Sequence, residues 1–329
     1  MADLQRSAGH YYPEFGELKN IRIVGHTPKA DTFIYDVVMD FTGGSQRLAA
    51  KVYRSRGKQS AMGLARAENE NLREIYTIFA QKQLSGVPRP IADFSSVGAV
   101  VAEKFPGTPL QSIIMKTALL PGYVENGTLR LAATRVGHWL RNFHRATADM
   151  PEPFDTPKLL QELEKLCANC RGEGLDDAAI RTIMGGAQKS LAGGKKAMPS
   201  SAVLNDFTPL SVIIGEEGVG IAEFAKMKSR AISLYDVAHF LACIEALEKY
   251  PFCNRVVTGQ VQDNFLEAYG VNNTEANVLR VLKMRELLTM FAQGRVGAKE
   301  SAVRKKVMWA NVMKRFIQQA AQRALAPAA

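Results

Sequence analysis

A chain of 329 residues, 47% hydrophobic and 22% charged, can bury about three quarters of its unfolded surface, which excludes fibrous, disulfide-stapled and disordered classes and suits two domains or one two-lobed enzyme. Lys and Arg number 42 against 32 Asp and Glu; the resulting +10 fits partners that carry phosphate but does not choose among nucleotide, nucleic acid and lipid headgroup. Four cysteines cannot build a disulfide framework at this size, the first residues lack the plan of a secretion signal, and no apolar run approaches the ~18 residues of a membrane span, so the chain reads as cytoplasmic with reduced thiols, soluble or at most peripheral.

Residues 21 to 53 hold three β-type runs, Ile21 to Val24, Thr32 to Met39 and Leu48 to Tyr53, the last two joined by the turn formers Asp40 to Ser45. That is an antiparallel meander. From 61 to 84 the pattern turns helical, with Leu64, Ala67, Leu72, Ile75 and Phe79 near helical spacing, until Gly86-Val87-Pro88-Arg89-Pro90 stops it. Strands Ile91 to Phe94 and Ala99 to Lys104 follow, the second ending at Pro106-Gly107-Thr108-Pro109. The β-rich unit thus closes near residue 105, and the remaining residues, 106 to 329, read as mainly helical, with Leu129 to Ala148 and Pro157 to Cys170 amphipathic. One β-rich island, residues 202 to 225, interrupts them. Its strands Ser211 to Ile214 and Val219 to Phe224 fold about Glu216 and Glu217, which sets Ser211 opposite roughly residue 222 and makes Ser211 and Glu223 neighbours. Asp206 lies in the loop just upstream.

Lys51 interrupts the apolar strand run Leu48-Ala49-Ala50-Lys51-Val52-Tyr53. On an edge strand it is an ordinary solvated charge; buried, it needs a counter-charge, and the next helix offers Glu68 and Glu70. A strand lysine paired to a helix glutamate is how kinases hold nucleotide phosphates.

From about residue 21 to 245 the chain resembles the kinase-like small-molecule phosphotransferases that include aminoglycoside phosphotransferases and choline kinases. The matching stretches come in family order: AAKVY with Lys51, ENENL with Glu68, VPRPI, VVAEKFPGTPL, WLRNFHRAT, VLNDFTPLSVII, GIAEFA and LYDVAHFL. The resemblance implies an α+β fold of two lobes, an N-terminal antiparallel sheet with one helix and a mainly helical C-terminal lobe, with the site in the cleft between them. It implies ATP and Mg²⁺ as cofactors and transfer of the γ-phosphoryl to a small-molecule hydroxyl. Lys51 would bind phosphates and Glu68 would orient it; Glu103 would mark the hinge, where the backbone of Lys104 and Phe105 meets adenine; Asp206 would be the base, and Ser211 with Glu223 would hold the metal.

The departures from the family pattern fall around that same centre. Leu204-Asn205 replaces its His-Gly, Ser211 its metal-binding asparagine and Glu223 its metal-binding aspartate. Ser211 is a poorer Mg²⁺ ligand than an amide carbonyl, and the extra methylene of Glu223 moves its oxygens outward by roughly a bond length. A second reading therefore stands beside the enzyme: a catalytically impaired homologue acting as a binding or regulatory module. The phosphate-covering turn, Gly25-His26-Thr27-Pro28-Lys29-Ala30-Asp31, has one glycine and a proline without an amide, so Lys29 could supply a side-chain contact, although a solvated turn lysine is the plainer reading.

Other features carry less. Cys167-Ala168-Asn169-Cys170 sits at the end of an amphipathic helix, too far from a second matching pair for zinc. His144 and His239 read as core or hydrogen-bonded histidines, and Glu162, Glu164, Asp176 and Asp177 as solvated acids that a cationic acceptor could otherwise meet. In the C-terminal segment Val303, Val307, Met308, Val312, Phe316 and Ile317 form an apolar helical face among Lys and Arg. Packing against the core is the default there, and peripheral contact with an anionic membrane the alternative. No basic and aromatic platform for nucleic acid appears, so the expected partners are a nucleotide and a small-molecule acceptor.

Overall fold

The computed structural model describes residue 4 and residues 11–29, 32–55, 60–120, 126–172, 174–192, 197–250, 252–293 and 300–325. The chain is α+β, with an antiparallel N-terminal sheet and a mostly helical remainder. It packs as two compact units, Met1–Thr108 with Ser211–Ser229, and Pro109–Leu210 with Arg230–Ala329. The hairpin that the sequence assigns to the second half thus groups by its packing with the first.

In the first unit, strands β1 (Leu18–Pro28), β2 (Thr32–Phe41), β3 (Ser45–Tyr53), β4 (Pro90–Phe94) and β5 (Ala99–Glu103) form one sheet in the order β1-β2-β3-β5-β4. Alternation along each strand divides its side chains between two faces. One face carries Val37, Met39, Phe41 and Leu48, covered by Leu4, Tyr12 and Phe15 of the N-terminal segment. Helix α1 (Ala61–Gln81) covers the other, where Leu64 and Ala65 pack on Tyr53 and Val100. Lys51 is two residues from Tyr53 and so points to the helix side.

Strand β1 is longer than the sequence suggests. It runs through Gly25 to Pro28, pairing Gly25 with Asp36 and Pro28 with Phe33, and the shift between Ile23 and Gly25 marks a bulge. Most of the expected phosphate-covering turn is therefore strand; Ala30 and Asp31 lie outside the described residues.

The second unit is built of helices and one short sheet that includes Asp149–Pro153 and Ala197–Val203. Its centre is a chain of rings: Trp139 stacks on Phe143 and Phe207 with centroids 5.5 and 6.2 Å apart, and Phe207 meets Phe240, which meets Phe265 at 4.4 Å. The C-terminal segment is not one regular helix. A π-helical stretch, Trp309–Met313, separates Glu300–Met308 from Lys314–Leu325. Val303 faces solvent while Met308, Val312, Met313 and Ile317 are buried. Of the expected apolar face, Met308, Val312 and Ile317 thus belong to the core. Among the described residues no helix is long and apolar enough to cross a membrane.

Candidate functional site

Two carboxylate centres carry the residues singled out from sequence, one in each unit. In the first, Lys51 is 6% exposed and Glu68 1%. Glu68 lies in the buried stripe of α1 between Leu64 and Leu72, whereas Glu70, the other expected counter-charge, is exposed. The Lys51 ammonium donates to Glu68 Oε1 and to the carbonyl of Ala222, and lies 3.6 Å from Glu223 Oε2. The second Glu68 oxygen accepts the backbone N–H of Phe224 at 2.7 Å, and Asn71 donates to the Phe224 carbonyl at 2.8 Å. Helix, strand and hairpin are thereby tied at one point.

The hairpin delivers Glu223 as its pattern requires. Val212–Gly215 pairs with Gly218–Ile221, Val212 opposite Ile221, and the Ala222 N–H reaches the Ser211 carbonyl at 3.1 Å, so Ser211 and Glu223 flank one end of the ladder. Lys29 is not a solvated turn residue. Its N–H closes the β1–β2 turn on the Thr32 carbonyl at 2.7 Å, and its ammonium pairs with Glu223 Oε1. This partner is 194 residues away in sequence.

Electrostatics separates the two glutamates. Burial raises Glu68, and the Glu223 charge adds to the rise against the pull of Lys51. Burial also acts on Glu223, but Lys51 and Lys29 together outweigh it and hold that carboxyl below the ordinary range. Burial works against the Lys51 ammonium, yet Glu223 and Glu68 carry it above the usual lysine value.

This donor set does not fit a divalent ion. Both oxygens of Glu223 face ammonium groups, and two lysines already balance two glutamates. A divalent cation on Glu223 would have to displace these ammonium groups or sit beside them against their charge. Among the described residues no three His, Cys, Asp or Glu side chains gather as a metal-binding group. The lysines do fit phosphate: an ammonium has three donors, and Lys29 spends one on Glu223.

The hinge residues are held elsewhere. Glu103 Oε1 accepts the hydroxyl of Tyr12 at 2.8 Å; burial, then the Glu103 charge, push that phenol upward. The Lys104 N–H, expected at the adenine edge, donates instead to the Arg47 carbonyl at 2.9 Å. The Phe105 ring lies on Gly220, where a Cβ would come within 2.3 Å of it, so the hairpin glycine is what lets the hinge pack there.

In the second unit Asp206 follows Ala197–Val203 in a half-buried turn. Asp236, fully buried, accepts the N–H of Leu204 at 2.8 Å and of Asn205 at 2.9 Å, and His144 Nε2 stands 3.3 Å from it. Tyr269 holds the other ring nitrogen at 2.9 Å. Asn205 sits at φ +57°, a conformation open to Gly and Asn. The departure from glycine at this position therefore keeps the backbone. Phe207, locked among the rings, fixes the other side of Asp206.

Three acids considered for a cationic acceptor have structural partners. Asp176 caps the helix Asp177–Leu191, Asp177 pairs with Arg171 at 3.1 Å, and Glu162 pairs with Arg285 at 3.2 Å.

The fold is that of the kinase-like small-molecule phosphotransferases. The chain is similar to a candidate fructosamine-3-kinase from Thermobifida fusca (18% identity, 97% of this chain and 98% of that one, TM-score 0.54) and to an aminoglycoside phosphotransferase from Alicyclobacillus acidocaldarius (15%, 92% and 92%, 0.53). It is also similar to the amicoumacin kinase hAmiN, solved with AMP-PNP and Ca²⁺ (12%, 98% and 95%, 0.54). By sequence, no family model and no curated protein matches it.

Proposed function

We propose that the chain is a cytoplasmic, ATP-dependent phosphotransferase acting on a small-molecule hydroxyl. The observation that carries this reading is the buried Lys51–Glu68 pair, closed by the Phe224 amide and flanked by Glu223 and Lys29. Such a pair holds an ammonium where phosphate oxygens of a nucleotide can be aligned. In this reading the γ-phosphoryl passes from ATP to the acceptor oxygen, ADP leaves, and Asp206 takes the hydroxyl proton. Glu103 and Phe105 border the adenine, with the Lys104 amide already engaged. Mg²⁺ is not assigned to Ser211 and Glu223, because the ammonium groups on Glu223 oppose it.

That same arrangement favours one second reading, a homologue that binds nucleotide without transferring phosphate. Transfer of labelled γ-phosphate to a panel of amino sugars, aminoglycosides and amino alcohols separates the two. The enzyme reading expects labelled product, reduced about 100-fold or more in Asp206→Asn. Nucleotide binding with no transfer to any acceptor would leave the binding module.

A further inference from the structure

We infer that Lys29 stands at Glu223 in the place of a divalent cation, so that this centre binds a triphosphate chain without a metal ion. The inference deepens the nucleotide reading and rests on it for the identity of the anion, but the charge arrangement behind it is independent.

The argument starts with the backbone. A phosphate-covering turn works through amides brought close by glycine, and here the described residues of the turn, 25–29, have little to offer. Pro28 has no amide, and the Lys29 N–H is spent on the Thr32 carbonyl. Gly25 lies within strand β1, where a Cβ would meet nothing nearer than 3.9 Å, so no close approach requires a glycine there. What the turn presents instead is a side-chain charge, aimed at Glu223.

The remaining steps concern charge. A carboxylate that holds a catalytic metal keeps its oxygens for the metal. Glu223 gives one oxygen to Lys29 and turns the other to Lys51, which lies 3.6 Å away, beyond hydrogen-bond length. Its depressed titration agrees with that compensation. The Lys29 side chain is 25% exposed against 8% for Lys51, so its remaining donors are the ones an incoming anion reaches. A metal bridges a carboxylate to phosphate oxygens; an ammonium with one N–H on Glu223 and, among the described residues, no other side-chain partner does the same with a single charge. The longer side chain of glutamate, at a position where the family pattern has aspartate, carries the carboxylate toward the turn that holds Lys29.

The test uses inorganic tripolyphosphate, ATP and Mn²⁺ as separate probes of the full chain, by calorimetry and by the electron paramagnetic resonance of free Mn²⁺. Wild-type protein should bind tripolyphosphate and ATP in EDTA, with affinities that excess Mg²⁺ changes by less than about three-fold, and should take up no Mn²⁺ at Glu223. Lys29→Met should weaken metal-free tripolyphosphate binding about ten-fold or more and bind Mn²⁺ through the uncovered carboxylate, whereas Lys29→Arg should keep the wild-type pattern. A metal requirement above about ten-fold for tripolyphosphate, Mn²⁺ uptake by wild type that Glu223→Gln abolishes, or no tripolyphosphate binding at all would overturn the inference. If Lys29→Met fails to fold, those wild-type results decide alone. Tripolyphosphate bound without metal while ATP is refused would keep the role of Lys29 and remove the nucleotide reading; ATP bound only with Mg²⁺ would do the reverse.

Discussion

The two carboxylate centres solve one problem in different ways. Asp236 is compensated by the backbone: two amides of the turn before Asp206 point at it, and a histidine completes the set. Glu68 and Glu223 are compensated chiefly by side chains, one lysine from strand β3 and one from the β1–β2 turn of the same sheet. A carboxylate clamped by amides fixes the path of a loop, because the donors are part of that path. One matched by ammonium groups leaves N–H donors over, and those are free to meet a ligand. Under the proposed function, the difference separates a positioning device from a binding centre.

Breaking the lysine centre should have the largest effect. Lys51→Met strands Glu68 in the interior beside Glu223, and such a break costs about 3–5 kcal/mol, measured by urea denaturation. Lys51→Met combined with Glu68→Leu should recover most of the loss, since the uncompensated charge goes with its partner. In the amide-clamped centre, Asp236→Ala leaves two N–H groups without their acceptor, at about 3 kcal/mol in the same measurement. The contrast to look for lies in binding: Asp236→Ala should leave the affinity for ATP of the folded protein unchanged, while Lys51→Met should abolish it.

Substitutions at two further positions, smaller in effect, sharpen the comparison. Gly220→Ala drives a methyl into the Phe105 ring and should destabilise the first unit by about 2 kcal/mol. Asn205→Ala should cost about 1 kcal/mol more than Asn205→Gly, because both lose the side-chain bond to the Val203 carbonyl and only alanine resists φ +57°.

The comparison also carries a pH dependence in the second unit. His239 is half-buried, which disfavours its charge, but Cys243 and Glu286, the latter 2.9 Å away, push its pKa from 6.5 to about 10. The folded state thus prefers the protonated ring, so its contribution is complete below about 6.5 and disappears as pH rises through about 10. The melting temperature should fall across that window, and Glu286→Gln should flatten the decline.

Much of this was legible in the sequence because its signals are local. A lysine inside an apolar strand announces a counter-charge on the next helix, which the pattern leaves open between Glu68 and Glu70 and the family resemblance assigns to Glu68, and a hairpin with Glu216 and Glu217 at its tip sets Ser211 beside Glu223 by counting. Asn205 before Asp206 is readable in the same way once the turn is known to need a left-handed residue. The reach of Lys29 to Glu223 and of Tyr12 to Glu103 was not legible, since each joins segments 194 and 91 residues apart through a side-chain tip. No periodicity reports such a meeting. The π-helical stretch hid itself too, because a shift of phase leaves composition unchanged.

The most direct test of the central claim is calorimetric titration of the folded chain with ATP, alongside Lys51→Arg and Lys51→Met. The account predicts saturable binding in wild type that weakens with Arg, which keeps the charge but not its shape, and vanishes with Met. No heat and no thermal shift from wild-type protein with ATP, in EDTA or in excess Mg²⁺, would contradict it.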